Sequence, residues 1–73
     1  IDAEVIEFEV AEGSKVTGKK LKEVGFPKGA VIGAILRGDE IIMPRGYNEL
    51  LPGDDVIVFA LPHAISDVEK LFG

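Results

Sequence analysis

Apolar and acidic positions alternate from Ile6 to Val10, where Glu7 and Glu9 separate Ile6, Phe8 and Val10. This period of two predicts a half-buried strand, ended by Glu12-Gly13-Ser14. The pattern then becomes that of a short helix over residues 18–24. Thr17 is placed to cap it, since a threonine oxygen accepts from a backbone N–H two or three residues on. Val16 and Leu21 have the spacing of a hydrophobic staple. Gly25 falls where a left-handed closing residue is wanted, Phe26 can fold back onto Leu21, and Pro27 stops the helix.

Residues 30–36 are apolar at every position, with Val31, Gly33 and Ile35 on one face of a strand and Ile32, Ala34 and Leu36 on the other. Such a strand is central and packed on both sides. Gly33 and Ala34 predict that a neighbour comes close to its backbone. Arg37-Gly38-Asp39-Glu40 reads as a tight hairpin with glycine first in the turn, followed by a return strand, 41–43, that Pro44 confines to an edge. Residues 45–51 read as a loop whose Tyr47, Leu50 and Leu51 plug the core. Pro52-Gly53 fits the centre of a type II turn. A second strand occupies residues 55–61 and is apolar on both faces from Val56 to Leu61. After Pro62, residues Ile65, Val68, Leu71 and Phe72 recur at helical spacing, opposite Ser66, Asp67, Glu69 and Lys70. The order strand-helix-strand-strand-strand-helix predicts a two-layer α+β domain on a small, mainly antiparallel sheet.

Seventy-three residues make one domain, 1–73, at a size where folding buries only roughly 60% of the unfolded surface. A hydrophobic content of 47% is high for so small a body, so part of the apolar surface is expected to face a partner. Without cysteine there is no disulfide framework or thiolate zinc site. No segment has the length of a membrane span or the form of a signal peptide. The chain begins at Ile1, directly in strand-like sequence, which reads as a domain excised from a longer chain.

The net charge of −5 argues against a nucleic-acid partner, which calls for a basic surface. The charge is also unevenly placed. Asp2, Glu4, Glu7, Glu9 and Glu12 crowd the first segment, whereas Lys15, Lys19, Lys20, Lys22 and Lys28 follow with Glu23 alone against them. Those lysines read as a solvated face or as an attraction for an anion.

Catalytic equipment is thin. His63 is the only histidine, at a strand-to-helix junction, and Ser14 and Ser66 are the only serines, so no nucleophile–base pair is marked. Asp54-Asp55 lacks the further spaced oxygen ligands of a cation loop. The nine glycines are scattered and form neither phosphate-binding signature. The two arginines, Arg37 and Arg45, flank the hairpin. If brought together they would grip a phosphate or carboxylate; the plainer reading is a salt bridge to Asp39, Glu40 or Glu49.

Several stretches together resemble the TrkA-type C-terminal domain, the second half of the module that regulates conductance of potassium (RCK). They are the acidic first strand with Phe8 and Val10, then Val16-Thr17-Gly18-Lys19-Lys20-Leu21-Lys22-Glu23-Val24, and Ala34-Ile35-Leu36-Arg37-Gly38-Asp39-Glu40. The Met43-Pro44 strand end and Leu50-Leu51-Pro52-Gly53-Asp54-Asp55-Val56-Ile57-Val58-Phe59 complete the match. The resemblance implies a non-enzymatic regulatory and ligand-sensing domain that forms a homodimer. It further implies a cytoplasmic location at the inner face of the membrane, held there by a potassium transporter or channel subunit. No cofactor is implied in this domain; a nucleotide, NAD or ATP, would belong to an upstream nucleotide-binding domain.

Some members similar to this family bind cyclic di-AMP through polar residues before the second strand. Here Gly25-Phe26-Pro27-Lys28-Gly29-Ala30-Val31 carries no Arg or Asn to read a nucleotide, so that ligand is not carried over. For a small anion, Lys28, Arg37 and Arg45 are the candidate ligand-binding residues. Two other readings compete: a purely structural dimerisation module, and a ubiquitin-like β-grasp sulfur carrier suggested by 51–56. The carrier would need a free Gly-Gly tail, and this chain ends in an amphipathic pattern and Gly73.

Overall fold

A computed structural model describes residues 2–73. Four strands, β1 (Glu4–Glu9), β2 (Ala30–Arg37), β3 (Glu40–Ile42) and β4 (Asp55–Ala60), form one antiparallel sheet, and a helix, α1 (Ile65–Phe72), closes the chain. The strand order is β1-β4-β2-β3. The two most apolar strands therefore lie in the middle, and the acidic strand and the proline-terminated strand form the edges. Charge and proline at an edge are what discourage uncontrolled strand addition.

The core lies on one side of this sheet. Val56, Val58 and Ala60 of β4, Ile35 of β2 and Val10 just beyond β1 are buried there with Val16, Val24 and Leu50 from the connections. Helix α1 covers this side through Val68 and Phe72. The Phe72 ring stacks on Phe8 at 4.6 Å and meets Phe26 edge-on at 6.3 Å, geometries that aromatic quadrupoles favour. The apolar spacing of α1 is thus realised as packing.

Residues 18–24 do not form the expected α-helix; only a single 3-10 turn, Leu21–Glu23, is present. Gly18 has a φ of 79°, which breaks any helical path leaving Thr17. Thr17 does not cap either. Its hydroxyl donates back to the Ser14 carbonyl at 2.7 Å, and its backbone forms a bridge with Leu50. The N–H groups of Leu21 and Lys22 donate to the carbonyls of Asn48 and Gly46. Tertiary partners have taken the donors that a longer helix would have used. Gly25, at a φ of 31°, does end the turn as expected.

The faces of β2 also differ from simple alternation. Its register with β4 slips between Ile32 and Ala34, a bulge centred on Gly33 that inserts one residue and reverses the phase. Ala30, Ile32 and Ile35 consequently face the core, opposite Ala60, Val58 and Val56, while Val31, Ala34 and Leu36 face outward, opposite Phe59, Ile57 and Asp55. The close neighbour expected at Gly33 is the Phe59 ring, which occupies the space where a Cβ would stand.

Among the described residues, no element covers that outer face. Val5, Val31, Phe59 and Ile41 are exposed on it, so packing on both sides of β2 is not reached within one chain. Residues 45–51 contribute only Leu50 to the core. Tyr47, at 69% exposure, and Leu51, at 45%, stay at the surface.

Candidate functional site

The two arginines are separated by the length of β2. Arg37 ends that strand opposite Glu40, while Arg45 lies beyond β3 and lines, together with Ile32, the cleft described below. Five residues of strand, roughly 16 Å, intervene. No shared anion site forms between them.

Arg37 is committed to the fold. Its Nε and Nη2 donate to the two oxygens of Asp54 at 2.9 and 2.8 Å, and Nη2 also donates to the Glu49 carbonyl at 3.0 Å. Asp54 is 1% exposed and additionally accepts from the Leu51 N–H at 2.8 Å. The forked hydrogen bonds from Arg37 hold the Asp54 carboxyl below its usual range, outweighing the opposing effect of burial, with help from Leu51. The same pairing raises the Arg37 pKa further. The salt bridge thus joins the end of β2 to the 49–54 connection, and its carboxylate is Asp54 rather than Asp39, Glu40 or Glu49. The inward series Val56, Val58 and Ala60 extrapolates back to position 54, a sign in the sequence that this aspartate faces the core.

The arrangement that can take a ligand lies at the other end of β2. Since β3 stops at Ile42, no strand flanks the Ala30–Ala34 edge of β2. The Pro44–Gly46 loop and the Leu21–Lys22 turn stand there instead, tied together by the Lys22 N–H to the Gly46 carbonyl at 3.0 Å. Between them opens a cleft of ≈ 290 Å³, floored by Leu21, Phe26, Ala30 and Ile32, with Lys22 and Arg45 among its lining residues. Neither cation has a salt-bridge partner among the described residues. An apolar floor with two unpaired cations suits a ligand that has a flat apolar part and a negative charge.

Of the three basic residues expected from sequence, Arg45 lines this cleft, Lys28 is exposed in the turn before β2, and Arg37 lies at the far end. Lys22 is the one that sequence reasoning passed over. Its neighbourhood with Arg45 comes from a loop–loop contact that no periodicity records.

The TrkA-C domain family matches residues 5–73. This chain belongs to the TrkA-C domain family. The Trk system potassium uptake proteins TrkA homolog 1 and homolog 2 of Methanosarcina mazei are 47% and 46% identical to it over 70 residues, 96% of this chain and 16% of each relative. The TrkA homolog of Archaeoglobus fulgidus is 40% identical over 63 residues, 86% of this chain and 14% of that protein. This TrkA-C domain therefore spans about a sixth of the length of the curated relatives it matches. A solved structure of an RCK domain with cda has the same fold, with a TM-score of 0.80 and 22% identity, covering 94% of this chain and 97% of that one.

Proposed function

We propose that this TrkA-C domain is a regulatory, non-catalytic domain of a potassium uptake system, pairing two copies and sensing a small anionic ligand. The observation that carries the reading is the cleft beside β2, where Lys22 and Arg45, without a salt-bridge partner among the described residues, stand next to an apolar floor. Its ≈ 290 Å³ is open and lies at the small end for a ligand site. It shares Val31 with the uncovered outer face of the sheet. A second copy packed on that face walls in the cleft, so the ligand and the pairing of copies become linked.

The mechanism is a population shift. A ligand that binds one arrangement of the two copies more tightly favours that arrangement by the difference in affinity. The arrangement is passed through an upstream nucleotide-binding domain to a membrane potassium transporter, at the cytoplasmic face. Several relatives are Trk system potassium uptake proteins, which supports potassium as the transported ion.

A thermal-shift screen against nucleotides, cyclic dinucleotides and carboxylates tests the sensing role. A true ligand at 100 times its Kd raises apparent stability by about 2.7 kcal/mol, and Arg45→Ala removes the shift while Lys28→Ala leaves it. If no compound in these classes shifts the midpoint, or if Arg45→Ala leaves every shift intact, the cleft is not a sensing site. The domain is then a dimerisation module.

A further inference from the structure

The loop that carries Arg45 is closed by one side chain. The Arg45 N–H donates to Asn48 Oδ1 at 2.7 Å, and the Asn48 N–H donates back to the Arg45 carbonyl at 3.0 Å. A backbone N–H needs an acceptor, so the amide atom of Asn48 that faces it is the oxygen. The Asn48 carbonyl then accepts from the Leu21 N–H at 2.8 Å. A single half-buried residue is thus hydrogen-bonded to both walls of the cleft, the loop with Arg45 and the turn with Lys22.

The two walls also fit together at Gly46. The Lys22 N–H donates to the Gly46 carbonyl at 3.0 Å. A Cβ at Gly46 would stand 3.4 Å from the Lys22 Cβ and 3.9 Å from its Cδ. The Lys22 stem therefore runs along bare backbone, one residue from Arg45, and the two cations start from adjoining points.

From this arrangement we infer that Asn48 is the positioning residue of the cleft: it fixes Lys22 and Arg45 side by side while, as a neutral amide, adding no counter-charge, which suits the site to a doubly charged head such as a phosphate monoester. The inference rests on the reading of the cleft as an anion site and adds the residue that sets its preference for charge. Asn48 acts through Arg45 and Leu21 and not by touching the ligand.

The amide matters because an aspartate would close the same loop. Its carboxylate offers an oxygen at the same place, and an ionised acceptor makes the stronger hydrogen bond. Carboxylates are plentiful here, thirteen in the chain, and one of them already serves such a purpose nearby, where Glu23 Oε1 accepts from the Lys20 N–H at 2.9 Å. What an aspartate at position 48 would add is a negative charge beside Arg45. At roughly 8 Å in water-like surroundings, one such charge weakens binding about two- to threefold for each negative charge on the ligand. The penalty for a dianion is the square of that for a monoanion, so the amide favours the dianion.

Titration with phenyl phosphate and with benzoate at low salt, followed by amide NMR shifts, tests this role. At about pH 8 the first is a dianion, its second pKa being about 6, and the second is a monoanion. Both should move the Lys22, Arg45 and Gly46 signals, and phenyl phosphate should bind more tightly. Asn48→Asp should keep the unfolding midpoint, weaken benzoate about two- to threefold and weaken phenyl phosphate about five- to sixfold. Sodium chloride at about 500 mM should remove most of that difference from the original chain. Asn48→Ala, which loses the acceptor, should weaken both probes by one common factor that salt does not restore. If Asn48→Asp weakens both probes equally, or neither, while Arg45→Ala still removes binding, the role of Asn48 is overturned and the anion site stands. If neither probe moves these signals at about 50 mM, the cleft is no anion site, and the proposed sensing role falls together with this inference.

Discussion

The two faces of one sheet have opposite fates in this domain. The inner face of β4, formed by Val56, Val58 and Ala60, is closed to solvent, whereas Phe59, one residue from two of these, is 42% exposed on the outer face. Chemistry does not separate them, for both are strongly apolar. What separates them is cover: α1 and the connections at Val16, Val24 and Leu50 reach only the inner side. An apolar position on the inner face therefore stabilises the fold, and one on the outer face is available for binding.

Truncating inner and outer positions of the same strand would break the comparison most directly if it is wrong. Ile35, fully buried on the inner face, should lose about 2–5 kcal/mol in urea unfolding as Ile35→Ala. At Leu36, half-buried on the outer face, the same truncation should cost well under half as much.

The second effect concerns Arg37, which anchors the inner side through Asp54. Arg37→Met leaves a carboxylate that is 1% exposed with the Leu51 N–H as its one remaining donor among the described residues. We expect a loss of about 2–3 kcal/mol, below the full value for a buried pair because Arg37 itself is 34% exposed. The pairing also sets a pH dependence. The Asp54 pKa is lowered in the folded state, so its stabilisation is complete above the unfolded value of about 3.9. It is lost as pH falls toward the folded value. Unfolding midpoints between roughly pH 5 and pH 2 should fall less steeply in Arg37→Met than in the original chain.

A smaller effect is expected at Gly33, where the two faces meet through the bulge. Alanine there forces the Phe59 ring to swing away, at a cost of about 1 kcal/mol, because an exposed ring can yield. Self-association should suffer more than stability does. The smallest effect is at Val31, 59% exposed. Val31→Ser should change the stability of the monomer by no more than about 0.5 kcal/mol.

Much of the inner face was legible in the sequence because it obeys short periods. Ile6, Phe8 and Val10 alternate, Ile65, Val68 and Phe72 recur at helical spacing, and the Gly38 and Gly53 turns adopt the positive φ that their positions suggest. Expectation failed where contacts between distant segments decided the outcome. The 18–24 helix gave way to a 3-10 turn because Asn48 and Gly46 supply acceptors to its N–H groups. The phase of β2 was misread past Gly33 because a bulge is a property of the strand pair and not of one strand. The cleft was half legible. Arg45 was identified as a candidate cation, yet its companion Lys22 depends on a loop–loop hydrogen bond joining residues more than twenty positions apart.

The central claim, that the inner face holds the fold and the outer face holds a second copy, is tested most directly by unfolding at several protein concentrations. The midpoint of the original chain should rise with concentration, because association adds to apparent stability. That of Phe59→Ser should not, and the two should converge at the lowest concentration. If Phe59→Ser is less stable by several kcal/mol even at that dilution, the outer face is part of the fold and the account is wrong.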